Sequence, residues 1–111
     1  MNSTDADGNL TFTCDFCANA WAEDRPMVEG HKGSLICGPC LTLSYRLVHL
    51  QKSGITVPET VVCTLCQQHH EGKQHWESPV NDGAYACEKC IKQSSRVLQK
   101  DVESGWKIPT E

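Results

Sequence analysis

Eight cysteines stand in four pairs, each with a two-residue gap: Cys14/Cys17, Cys37/Cys40, Cys63/Cys66 and Cys87/Cys90. Such a gap lets both sulfurs of one tight turn face a single ion, and two pairs complete the tetrahedral four-thiolate shell that zinc accepts. The first two pairs are separated by 19 residues and the last two by 20, enough for a hairpin that returns the chain to the first pair. The expectation is two structural zinc ions per chain, with all eight cysteines as ligands. Spacing alone leaves iron or an iron–sulfur cluster as the alternative metal. A redox dithiol needs one such pair rather than four. A shell of four protein thiolates has no open position for water or substrate. The chain also lacks a glycine-rich phosphate loop, a Gly-x-Ser-x-Gly elbow and a His-Glu-x-x-His motif. These features argue against an enzyme, and no catalytic residue is assigned.

Metal-binding thiols must stay reduced. Residues 1–8 are polar and acidic, without the basic start and apolar run of a secretory signal, which points to the cytoplasm. The most apolar stretch, residues 41–50, is interrupted by Thr42, Ser44, Arg46 and His49, far short of the ~20 apolar residues of a membrane span. In 111 residues, aromatics make up only 6%, so metal must supplement a lean core. The formal net charge is −4. Two ions in four-thiolate shells would take it to about −8, the opposite sign from most nucleic-acid binders.

The elements that must position the cysteines repeat. Cys14 and Cys17 align with Cys63 and Cys66 at an offset of 49, Cys37 and Cys40 with Cys87 and Cys90 at 50, and Ser53-Gly54 and Pro58 with Ser104-Gly105 and Pro109 at 51. Each repeat reads as one structural unit. Residues 1–8 are expected to be a disordered leader, residues 9–58 a first zinc module and residues 59–111 a second. Met27-Val28-Glu29, a Gly30-His31-Lys32-Gly33 turn and Ser34-Leu35-Ile36 read as a hairpin ending at Cys37. Residues 75–80, the turn Asn81-Asp82-Gly83 and Ala84-Tyr85-Ala86 repeat it before Cys87. After each second pair the period becomes helical, through Leu41, Tyr45 and Val48 and through Ile91, Leu98 and Val102, with Gly54 and Gly105 as expected stops. The fold class is therefore small, α+β and metal-stabilised: in each half a zinc knuckle, a β-hairpin and a C-terminal helix. Because each half is complete, each is expected to hold its own ion, rather than the first and third pairs sharing one.

Cys14-x-x-Cys17, the 19-residue gap, and Met27-Val28-Glu29-Gly30 running through Gly33-Ser34-Leu35-Ile36-Cys37-Gly38-Pro39-Cys40 into an apolar helix resemble the N-terminal zinc-binding domain of ClpX-type unfoldases. The likeness covers about 40 residues of the first repeat, and Tyr85-Ala86-Cys87-Glu88-Lys89-Cys90 carries it in the second. The resemblance implies a treble-clef fold, here twice in tandem, together with dimer formation and binding of adaptors and substrates. The ATPase that follows this domain in the unfoldases has no counterpart in this chain.

Leu41/Ile91, Leu47/Val97 and Val48/Leu98 are apolar in both helices and are assigned to the core of each module. Leu43, Leu47 and Leu50 form a second apolar stripe on helix one that a module of this size cannot cover. It packs on the second repeat or serves as a dimer or partner surface. Lys89, Lys92, Arg96 and Lys100 line one face of helix two, a solvated face or a phosphate-contacting one. His69, His70 and His75 are read as loop residues rather than substitutes for a thiolate. Trp76 is expected in the core, and Trp21 and Trp106 over a module or in an exposed contact. The function these features point to is a non-catalytic, adaptor-like protein-interaction module. A nucleic-acid-binding zinc protein using the basic face of helix two is the alternative.

Overall fold

A computed structural model describes residues 2–4, 10–22, 24–70 and 72–110. Strand β1 (Asn2–Thr4) pairs antiparallel with β2 (Leu10–Phe12), so part of the expected leader lies in a strand, and its residues 1 and 5–8 fall outside the described residues. Hairpin one is β3 (Met27–Glu29) and β4 (Leu35–Cys37), and hairpin two is β5 (His75–Glu77) and β6 (Tyr85–Cys87). Both fall where alternation and turn residues place them. Each runs straight into a helix, α1 (Gly38–Tyr45) or α2 (Glu88–Lys100), with Cys37 or Cys87 as the extended residue ahead of its first turn. Pro39 fits because the first helical turn has no partner for a backbone N–H.

The helix ends depart from expectation in both repeats. Helix α1 runs into a π-helical turn, Arg46–Leu50, and stops at Lys52, whose φ of 55° takes the left-handed conformation expected of Gly54. Gly54 is needed for close approach instead: a Cβ there would lie 2.8 Å from Gln74 Cβ. In the second repeat α2 already ends at Lys100, where Asp101 turns extended, so Val102, expected on the helix, falls in a short 3₁₀ turn (Val102–Ser104) and is 90% exposed, while Gly105 beyond it does adopt a φ of 67°.

The repeat is structural down to single hydrogen bonds. Asp15 N–H donates to Leu35 O and Thr64 N–H to Tyr85 O, at 3.0 and 2.7 Å. Gly38 N–H donates to Pro26 O and Glu88 N–H to Gln74 O, both at 2.9 Å. In the reverse direction, Leu35 N–H meets the Asp15 carboxylate at 2.7 Å and Tyr85 N–H the Thr64 hydroxyl at 3.2 Å.

The two halves share one core. Helices α1 and α2 pack together, burying Leu41, Ser44 and Val48 on one and their counterparts Ile91, Ser94 and Leu98 on the other. Both serines are buried, and Ser44 donates its hydroxyl to Leu41 O at 3.2 Å. Leu41/Ile91 and Val48/Leu98 are core as expected. Leu47 is only half-buried and Val97 is 54% exposed, a correction to the assigned core, because the helices face each other rather than separate interiors. Each tail crosses to the other half. Ile55 exchanges backbone hydrogen bonds with His75 at 2.9 and 2.7 Å, and its counterpart Trp106 donates Nε1–H to Gly38 O and Thr42 Oγ1 at 3.1 and 3.0 Å.

Candidate metal centres

Each knuckle is closed by its own backbone. Cys14 N–H donates to Asn19 O at 2.9 Å and Ala18 N–H returns to Cys14 O at 3.0 Å, while Cys63/Gln68 and Gln67/Cys63 repeat the pair at 3.0 and 2.8 Å. The turn needs a left-handed residue after its second cysteine, and Ala18 (φ 65°) and Gln67 (φ 60°) supply it. Hairpin and helix then bring the later pair into place. The four sulfurs of Cys14, Cys17, Cys37 and Cys40 lie within 4.8 Å of one another, as do those of Cys63, Cys66, Cys87 and Cys90. Grouping is therefore within each repeat, not crossed between them. All eight thiols are free of disulfides. In both sets the second knuckle cysteine, Cys17 or Cys66, is half-exposed and the other three are buried.

Four mutually close sulfurs are a donor set that fits a metal dication. Neighbouring thiols, Cys37 first and then Cys40, donate to Cys14 and hold its pKa far below the usual thiol value. Cys63 is lowered in the same way, by Cys87 first. The partners move the opposite way. Hydrogen bonding to Cys14 pushes Cys37 up to about 11 and also raises Cys40, and hydrogen bonding to Cys63 pushes Cys87 up to about 12 and raises Cys90. Without a cation each set thus forms one thiolate easily and resists further ones. A dication replaces the shared protons as the source of positive charge. Backbone donors also point at the sulfurs, with Phe16 N–H 3.4 Å from Cys14 Sγ and Cys87 N–H 3.4 Å from Cys63 Sγ.

Outside the cysteines the two centres differ. At the first, Asn19 Nδ2 lies 3.3 Å from Cys17 Sγ, and Arg25 Nη1 lies 3.7 Å from Cys37 Sγ and 4.0 Å from Cys17 Sγ. At the second, His70 Nε2 lies 3.3 Å from Cys66 Sγ. His69 bonds Val61 O through Nδ1 at 2.9 Å. His75 is fully buried rather than in a surface loop, donates Nδ1–H to Lys73 O at 3.0 Å, and leaves Nε2 without a partner. Nothing in sequence spacing marked Arg25 or Asn19 as neighbours of the sulfurs.

The remaining candidates gather around two grooves between the halves, related by the repeat. One, of about 300 Å³, is lined by Phe16, Pro39, Leu43, Trp76, Pro79 and Val80. Its mate, of about 450 Å³, has Leu65, Lys89, Gln93, Val28 and His31 at the positions equivalent to the first five. Leu43 is 43% exposed, whereas Leu47 and Leu50 are half-buried. Leu43 and Leu47 also border a further cavity of about 300 Å³, closed by Ile55 of their own repeat and by Trp76 and Pro79 of the second. The stripe therefore faces the second repeat and leaves Leu43 at the surface. Trp76 is buried against Phe16, its ring centre 5.4 Å away. Trp21 is 53% exposed, and Trp106 covers the start of α1. Lys89, Lys92, Arg96 and Lys100 are all exposed on α2. Among the described residues, no helix is long and apolar enough to cross a membrane. No family model, curated protein or solved structure matches the chain.

Proposed function

We propose that the protein is a non-catalytic, zinc-stabilised interaction module of the cytoplasm, two treble clefs in tandem that present an apolar groove to a protein partner. The metal part of this reading rests on the two four-sulfur sets. Zinc is the metal of choice because it takes four thiolates tetrahedrally, and a filled shell leaves no place for substrate. The observation that carries the interaction part is the inequality of the equivalent grooves. Where one has Pro39, Leu43 and Trp76, the other has Lys89, Gln93 and Val28. The same backbone setting thus tolerates polar side chains, and the exposed Leu43 and Val80, the latter 64% exposed, are not demanded by folding. Exposed apolar side chains clustered at a groove mark an interaction site. The likeness to ClpX-type zinc-binding domains, which bind adaptors, points the same way.

The test is a peptide-display selection against the zinc-loaded protein, with the Leu43→Lys/Val80→Lys double variant as the counter-target. Both side chains are exposed, so the variant retains its fold and two metal ions. Apolar peptides that bind the parent and lose at least tenfold on the variant support the reading, and selected peptides indifferent to both substitutions reject it. The basic face of α2 supports the nucleic-acid alternative, whose mark is binding that weakens steeply with salt and with charge removal at Lys92 and Arg96.

A further inference from the structure

Site two has an imidazole beside its half-exposed thiol, where site one has an amide and a guanidinium. His70 Nε2 stands 3.3 Å from Cys66 Sγ, and Cys66 is the half-exposed thiol of its set. At site one the corresponding half-exposed thiol, Cys17, is approached by the Asn19 amide nitrogen and the Arg25 guanidinium, which have no lone pair to offer an ion. To take the place of Cys66 in a tetrahedral shell, Nε2 would have to come about 3.5 Å from the sulfurs of Cys63, Cys87 and Cys90, a shift from its present place beside Cys66, since the mutually close set holds the four cysteines. Room to adjust is also present: Gln67, Gln68, Gly72 and Lys73 around His70 are exposed, and nothing lies within 4 Å of where a Gly72 Cβ would be.

We propose that His70 is a reserve ligand of site two, so that Cys66 can be modified by a soft electrophile while the module keeps its metal. This inference rests on the metal reading and is independent of the partner reading. With a maleimide the Cys66 thiolate adds its sulfur lone pair to the ring C=C bond. A sulfur–carbon bond forms, the ring enolate takes a proton from water, and the sulfur becomes a thioether, a weak ligand. The imidazole, with its proton on Nδ1, offers the Nε2 lone pair in place of that sulfur, giving a three-cysteine, one-histidine set of the kind zinc also accepts. Cys17 has no such replacement, so the two repeats part company in chemistry while matching in fold.

Native mass spectrometry of the zinc-loaded protein treated with one equivalent of N-ethylmaleimide, followed by peptide mapping, tests this. The expected product carries the adduct on Cys66 and still holds two zinc ions, and in His70→Ala the same adduct leaves one. As a check that needs no reagent, Cys66→Ala should retain two ions and Cys66→Ala/His70→Ala one, whereas Cys17→Ala retains one. A first adduct on Cys17, or loss of an ion when wild-type Cys66 is modified, overturns the proposal while leaving the metal reading intact. A wild-type mass with no metal overturns both.

Discussion

At the residue scale the two left-handed knuckle positions are a testable source of strain. Ala18 and Gln67 hold φ values of 65° and 60°, a conformation that costs a side-chain-bearing residue about 1–2 kcal/mol. Glycine removes that cost but adds about 0.4–1 kcal/mol of unfolded-state entropy. Ala18→Gly and Gln67→Gly should each stabilise the metal-loaded protein by up to about 1 kcal/mol, seen as a raised melting midpoint; a lowered midpoint would show that the backbone there is not strained. The thiols supply a second expectation. Cys37 at about 11 and a raised Cys40 are protonated at neutral pH, as are Cys87 at about 12 and a raised Cys90. Loading must therefore release at least two protons per site. The sign follows: protons compete with metal, so metal-dependent stability falls as pH falls. Calorimetry of metal binding in buffers of different ionisation enthalpy measures the number, and a value below two per site would reject this picture of the metal-free clusters.

At the element scale the knuckle of each half is capped by the hairpin of the other, by two different devices. His31 N–H donates to Leu65 O at 2.6 Å. The equivalent of His31 in hairpin two is Pro79, which has no N–H, and the preceding Ser78 donates its hydroxyl to Phe16 O instead. Ser78→Ala should leave that buried carbonyl unmet and cost about 1–3 kcal/mol. In hairpin one the place of Ser78 is held by Gly30, whose Cβ, if added, would lie 2.7 Å from Leu65 O. Backbone cannot yield as a side chain can, so Gly30→Ala should also destabilise, by about 1–3 kcal/mol. Chemical denaturation of the zinc-loaded variants measures both, and unchanged stability in either would mean that the knuckle–hairpin crossing is not a tight interface.

At the scale of the whole molecule the halves behave as an intrachain pair. Helices face each other, knuckles and hairpins cross, and the tails are exchanged. Phe16 belongs to the first knuckle yet is fully buried against Trp76 of the second hairpin. Phe16→Ala should cost about 3–5 kcal/mol and should speed chelator-driven release of metal from both sites, resolved by native mass spectrometry. Release confined to site one would show that the modules are energetically separate despite their shared core. The inequality of the grooves also belongs to this scale, since each has walls from both halves.

The four-cysteine sets, the duplication, both hairpins and both helices were legible in the amino-acid sequence, because they follow from local spacing: a two-residue cysteine gap, a turn between alternating runs, a helical period. Grouping of the sulfurs within each repeat followed too, since each half carries every element needed to close one site. What only the tertiary structure decided is how the halves meet. Val97 looks like core by its equivalence to Leu47, but whether a helix face is buried depends on the partner, and here the packed helices bury Ser44 and Ser94 and leave Val97 exposed. Nor does spacing show that Arg25 and Asn19 attend one centre and His70 the other. Those neighbours are brought in by chain crossing and loop paths that no local pattern encodes, and on them rests the difference between the two halves of a repeated sequence.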